Sequence, residues 1–180
     1  NHATEITTFK VGYVFGSPIT YVQRATVDAN GNKAEIDDKG IAILNEMMFE
    51  ESKRTQDQRL GKDISVCGVG YRMVLPKREK TGVSAFNLIR LRPNTTFVIR
   101  FNDIYRNIAV GVSYVELEDG TVRFGAYTKD FYCTIESDTS GKFKIVGSIT
   151  KLKLGIVPII EYKNDDERMG CFERVIPLLD

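Results

Sequence analysis

Apolar positions along the chain follow two periodicities. From Asp38 to about Ile64 there is no proline and most residues are good helix formers, with Ile41, Leu44 and Met48 recurring at three- and four-residue spacing. This predicts one long helix. Asp37 or Asp38 can cap its start, and Glu50 with Arg54 and Lys53 with Asp57 place opposite charges four apart on its surface. Gly61 is expected to mark a break or a second short segment. From Glu50 to Arg59 the helix has no apolar stripe, so this half is expected to be either solvated or covered by a neighbouring subunit. A shorter helix is predicted over Ala3 to Phe15, where Ile6, Phe9, Lys10 and Tyr13 fall at helical spacing before Gly16-Ser17-Pro18 stops it.

The rest of the chain reads as β-rich. Asn30-Gly31, Asp119-Gly120 and Ser140-Gly141 each supply the positive φ angles of a tight turn between strand-like flanks, which predicts three hairpins. Their flanks are Ile19 to Asp28 with Lys33 to Ile36, Ile108 to Leu117 with Thr121 to Tyr127, and Phe131 to Glu136 with Phe143 to Ser148. Further strands are expected at Val66 to Leu75, Phe86 to Leu91, Phe97 to Phe101 and Ile156 to Tyr162. The expected class is α+β: antiparallel hairpins and sheet with one long helix and one or two shorter ones. No alternating βαβ rhythm supports a doubly wound nucleotide-binding fold.

Size and composition narrow the function classes. A chain of 180 residues with 42% hydrophobic and 27% charged residues can build a real core, and no apolar run approaches the roughly 20 residues of a bilayer helix. A soluble globular piece with no membrane association is expected. Lys plus Arg number 25 against 24 for Asp plus Glu, so the chain lacks the basic excess of a dedicated duplex-DNA reader. Cys67, Cys133 and Cys171 are odd in number and widely spaced, which favours a reducing compartment over a disulfide framework. The sole histidine, His2, lies near one end, which argues against histidine-based triads and multi-histidine metal sites. The start at Asn1, with no Met and no signal-peptide pattern, reads as an excised fragment of a longer chain.

Candidate chemistry is sparse. Cys67-Gly68-Val69-Gly70-Tyr71 contains a Gly-x-Gly, but strand-like residues follow it, so a bulge or close backbone approach is expected in place of a phosphate cradle. No P-loop signature occurs. Asn164-Asp165-Asp166-Glu167-Arg168 concentrates carboxylates without the alternation of a calcium loop and reads as a solvated turn. Glu116, Glu118 and Asp119 flank a turn that uses Asp for its own geometry. Lys77-Arg78-Glu79-Lys80 and the set Lys142, Lys144, Lys151, Lys153 read as exposed basic surface without the interleaved aromatics that stack single-stranded bases. No catalytic, cofactor or metal residues are assigned.

Four stretches carry a family resemblance: Val11 to Tyr21 (VGYVFGSPITY), Cys67 to Pro76 (CGVGYRMVLP), Leu91 to Ile104 (LRPNTTFVIRFNDI) and Gly155 to Asp180, with its Pro-Ile-Ile-Glu-Tyr strand, acidic turn and closing Leu-Leu-Asp. In this order and spacing they resemble the portal, or head-to-tail connector, proteins of tailed bacteriophages, in the family typical of long-tailed phages of Gram-positive hosts. The resemblance runs from about Phe9 to Asp180.

That resemblance implies a noncatalytic structural subunit of a ring, usually of twelve copies, at one capsid vertex of the virion. Double-stranded DNA enters and leaves through its channel. Implied partners are other portal subunits, capsid and scaffolding proteins, the terminase that supplies the motor, and head-completion proteins, with assembly in the bacterial cytoplasm and no cofactor. The whole of residues 1–180 would be the wing, with stem, clip and crown absent and little direct DNA binding. By the resemblance, Gly12, Gly16 and Pro18 match a turn into the first strand. Gly68, Gly70 and Tyr71 match a glycine-marked strand start, and Pro158, Glu161, Tyr162, Gly170 and Phe172 match the approach to the stem. Arg54 and Arg59 are candidate subunit contacts. The alternative is a free-standing β-rich ligand-binding or hydrolytic domain using Asp165, Asp166 and Glu167.

Overall fold

A computed structural model describes residues 2–24, 38–77, 79 and 82–173. Among them are helices α1 (His2–Phe15), α2 (Asp38–Glu50) and α3 (Lys53–Cys67), a short 3-10 turn (Pro93–Thr95) and eight strands. These are β1 (Val69–Pro76), β2 (Phe86–Leu91), β3 (Thr96–Arg100), β4 (Ile108–Glu116), β5 (Val122–Tyr127), β6 (Phe131–Ser137), β7 (Phe143–Lys151) and β8 (Ile159–Lys163). Two antiparallel sheets result, in the orders β2-β1-β8 and β3-β4-β5-β6-β7. The class is the expected α+β.

The long helix is two helices. Ser52 adopts a left-handed backbone with φ 52°, and the break falls there, not at Gly61. Side chains around the break explain it. Glu50 accepts hydrogen bonds from Val83 N and Ser84 N at 2.7 and 2.8 Å, Glu51 accepts from Leu88 N at 2.8 Å, and Lys77 Nζ reaches both carboxylates at 3.2 and 2.9 Å. A straight helix would send those two carboxylates in directions about 100° apart on its surface. Gly61 stays helical, with the Phe15 ring over it.

Residues 50–59 depart from expectation in part: Arg54, Thr55 and Arg59 are exposed, but the side that carries Lys53, Gln56 and Asp57 is neither solvated nor left open. Lys53 and Asp57 are buried against β1, and Gln56 donates to Leu88 O at 2.6 Å. An apolar stripe is absent because this face packs through charges on its own domain. Conversely, α1 does not bury its apolar row. It packs on α3 through Thr7, while Ile6, Phe9 and Tyr13 stand 48%, 74% and 84% exposed.

Two predicted hairpins form as expected. Gly120 and Gly141, both at φ 78°, close the β4–β5 and β6–β7 turns, and Asp138 Oδ1 accepts from Ser140 N and Lys142 N at 2.9 and 3.0 Å. The Asn30-Gly31 turn lies outside the described residues, and residues 19–24, expected to be strand, carry no regular structure. A hairpin not foreseen joins β5 to β6, where Thr128 N donates to Phe131 O at 2.8 Å.

Alternation along the strands sorts the layers. On β1, Gly70 and Arg72 face α3, whereas Tyr71 and Met73 form the core with Ile159 of β8. Val98 and Tyr127 of the large sheet pack onto that cluster, and a Cβ on Gly111 would come within 2.7 Å of Ile159, so only glycine admits the two sheets at this spacing. Ile159 is fully buried, a gain of about 1.5–3 kcal/mol for such a side chain. The order of layers is α1, α3, small sheet, large sheet. On the outer face of the large sheet, cross-strand rows run Phe97, Val112, Ala126, Cys133 and Tyr114, Phe124, Ile135, Ile145.

Candidate functional site

Four of the resemblance-matched residues, Gly68, Tyr71, Glu161 and Gly170, gather where α3 hands over to β1 and meets the 164–172 segment. α3 ends on Gly68 at φ 73°, whose N–H returns to Ile64 O. A Cβ at Gly68 would sit 1.9 Å from Arg168 O, and Gly68 O accepts from Asn164 N at 2.8 Å. The glycine therefore serves a left-handed helix end and a close chain crossing together. Gly170 is buried against Val66 O, and Cys171 N donates to Ser65 O at 2.8 Å.

Glu161 is the centre of this junction. Its side chain is 1% exposed and accepts from Arg100 Nη2 at 2.5 Å, from Arg168 Nε and Nη2 at 3.1 and 3.3 Å, and from Tyr71 OH at 3.3 Å. Burial alone would raise this carboxyl's pKa, but the hydrogen bonds from Arg100 and Arg168 outweigh it and hold the group below its ordinary value. Burial, then the Glu161 charge, pushes the Tyr71 phenol up. One carboxylate thus joins β1, β3, β8 and the turn at Arg168. Pro158, also buried, accepts from Val74 N at 3.0 Å.

A second charged cluster lies on the opposite side of β1. Asp57 pairs with Lys53 and with Arg72 Nη2, the latter at 2.5 Å, and all three residues are buried. The Tyr162 ring lies 5.7 Å from the Arg72 guanidinium and the Tyr21 ring 5.7 Å from Lys53 Nζ, so aromatic faces meet the excess positive charge. Tyr21 is held by Asn45 through its backbone N and O at 2.8 and 3.0 Å. Sequence reasoning missed this cluster; the four-residue spacing of Lys53 and Asp57 was the available signal.

Other expected residues fall elsewhere. Gly12 lies inside α1, Gly16 just after it, and Pro18 in an irregular segment that runs to residue 24, where the described residues stop. Arg54 donates to Gly16 O at 3.1 Å. Arg59 and Phe172 line a groove of about 570 Å³ between α1 and α3. In the acidic turn, Asp165 accepts from Met169 N at 3.0 Å and Asp166 pairs with Lys163 at 3.0 Å, so these carboxylates hold the turn. Lys77 is taken by Glu50 and Glu51. Lys144 and Lys151 lie on β7, with Lys142 before it and Lys153 after it in a left-handed backbone.

Cys171 Sγ accepts from Lys10 Nζ at 3.0 Å and Ser65 Oγ at 3.4 Å. Burial opposes ionisation there, but the Lys10 and Ser65 contacts prevail and lower the thiol's pKa. Among the described residues, no cluster of three or more His, Cys, Asp or Glu is placed to hold a metal ion, and no helix is long and apolar enough to cross a membrane.

The geometry is that of a fastened scaffold, in which the buried charges meet one another across layers. No match to a curated protein was found. A family profile described as "Phage portal protein, SPP1 Gp6-like" matches residues 1–180, and the chain belongs to that family of phage portal proteins.

Proposed function

We propose that this chain is the wing part of a portal subunit, with its stem, clip and crown supplied by further sequence, and that it works by assembly without catalysis. The carrying observation is the family match along all 180 residues. In the assembled head, the subunits form a ring at one capsid vertex, and double-stranded DNA passes through it during packaging and ejection. Capsid and scaffolding proteins surround the ring, while terminase and then head-completion proteins dock on it in turn. Assembly takes place in the host cytoplasm. Supporting this reading, the buried charges at Glu161 and Asp57 join layers, and a near-neutral surface suits a conduit that must not hold DNA tightly. The free-standing ligand-binding or hydrolytic reading is not favoured, because Asp165 and Asp166 serve their own turn.

Arg54 and Arg59, exposed on α3, are proposed subunit contacts. Their reversal to Glu in the full-length subunit should lower ring yield; normal rings from the double variant would remove them from the interface. The whole reading is tested by imaging the full-length subunit and packaging DNA into heads built with or without it. Rings, and packaging only when they are present, are expected. A protein that never forms rings and heads that fill without it would overturn the proposal.

A further inference from the structure

Two reactive side chains from distant parts of the chain meet between α1 and the 164–172 segment. Lys10 Nζ lies 3.0 Å from Cys171 Sγ although 161 positions separate them, and Ser65 Oγ of α3 donates to the same sulfur at 3.4 Å. Lys10, Ser65, Asn164 and Cys171 border a cavity of about 160 Å³, which leaves room for a small oxidant beside the sulfur. Burial, and more weakly the Asp165 charge, oppose ionisation of this thiol, but Lys10 and Ser65 outweigh them and favour the thiolate, the form that peroxides oxidise. Cys67 has the opposite setting, with burial and then Asp63 holding it as the thiol.

We infer that oxidation by a peroxide joins Lys10 Nζ to Cys171 Sγ in a covalent bridge that fastens α1 to the 164–172 segment. The Cys171 thiolate attacks one peroxide oxygen, the O–O bond breaks, and a sulfenic acid and hydroxide form. The unprotonated Lys10 amine then attacks the sulfur. Its lone pair makes the N–S bond as the S–O bond breaks, and the departing hydroxide takes a proton from the nitrogen and leaves as water. Sulfur gives up two electrons overall, and the peroxide takes them. Contact at 3.0 Å lets Lys10 intercept the sulfenic acid ahead of any thiol arriving from solution. The bridge also acts where apolar packing holds little: Thr7 is the one buried residue of α1, and Ile6, Phe9 and Tyr13 stay exposed.

The test uses the full-length subunit, purified in the reduced state, treated with hydrogen peroxide, alkylated with iodoacetamide and cleaved after glutamate. By mass spectrometry, the peptides holding Lys10 and Cys171 should appear linked and lighter than their sum by two hydrogens, and dithiothreitol should release them. Oxidation of Cys171 without a link to Lys10, links spread over several lysines, or a Cys171 that stays alkylatable in peroxide would overturn the inference. Each of these results leaves the portal reading where it stands.

Two variants separate a bridge from a mere contact. Lys10→Arg keeps the positive charge but has no amine to attack sulfur, so the linked peptide should fall by at least about tenfold while dimedone now traps the sulfenic acid at Cys171. Cys171→Ser should abolish the link. An undiminished yield of linked peptide from Lys10→Arg would show that another group is the partner and contradict the inference.

Discussion

Glu161 of β8 accepts a hydrogen bond from Arg100 of β3 at 2.5 Å, so a single buried carboxylate ties the small sheet to the large one. Tyr71 and Arg168 complete its coordination, and Val98 and Tyr127 pack beside it on the Ile159 core. The charged contact therefore adds to this apolar core in registering the two sheets.

Replacing Glu161 by Gln should cost about 1.5–3 kcal/mol in urea unfolding, the scale of hydrogen bonds to a charged group. Because the folded-state pKa of Glu161 is depressed, its contribution is present above the unfolded carboxyl value and disappears as pH falls through the folded one. The wild type should therefore lose more stability than Glu161→Gln between pH 6 and acid. Parallel pH profiles of the two proteins would refute this role.

Asp57→Ala should be more damaging, by about 3–5 kcal/mol, since it leaves Lys53 and Arg72 buried and unpaired. Adding Lys53→Met to that variant should recover part of the loss by removing one of the stranded charges. Chemical denaturation of the single and double variants measures it, and no recovery would mean that packing, not charge, sets the cost.

Gly68→Ala should destabilise strongly, because φ 73° disfavours a side chain and the new methyl meets Arg168 O. The backbone conformation alone accounts for about 1–3 kcal/mol. Gly141→Ala has the same sign of φ but nothing within 4 Å, so it should lose only the conformational part. Equal melting shifts for the two variants would rule out the crossing of Gly68 and Arg168 as the cause.

Cys67 and Cys171 should titrate differently. Cys171 is lowered by Lys10 and Ser65, whereas burial, and then the nearby Asp63 charge, raise Cys67. The pH midpoint of iodoacetamide labelling, followed by peptide mass spectrometry, should be lower for Cys171 than for Cys67. Lys10→Met should move the Cys171 midpoint upward and leave that of Cys67 in place.

Most of the β-structure was legible because its signals are local. Asp119-Gly120 and Ser140-Gly141 need no tertiary partner to specify a hairpin, and Phe86 to Leu91 was delimited correctly by alternation and its flanks. What the sequence hid are long-range polar contacts. The helix break at Ser52 depends on where Lys77, Ser84 and Leu88 lie, and the buried face of α3 depends on Arg72. A charged helix segment looks solvated when its partners are 15 to 37 residues away. The reverse error at α1 has the same origin: Ile6, Phe9 and Tyr13 form a proper apolar stripe, but they stay exposed among the described residues. Among the resemblance-matched residues, the sequence order brought Glu161, Tyr71, Gly68 and Gly170 to one junction but said nothing of Arg100, which lies 61 positions before Glu161.

The most direct test of the account is the solution mass of the full-length subunit, by native mass spectrometry or light scattering. A closed ring of about a dozen copies is the predicted result. A species that remains monomeric at every concentration and salt would contradict the assignment of this chain to an assembling portal subunit.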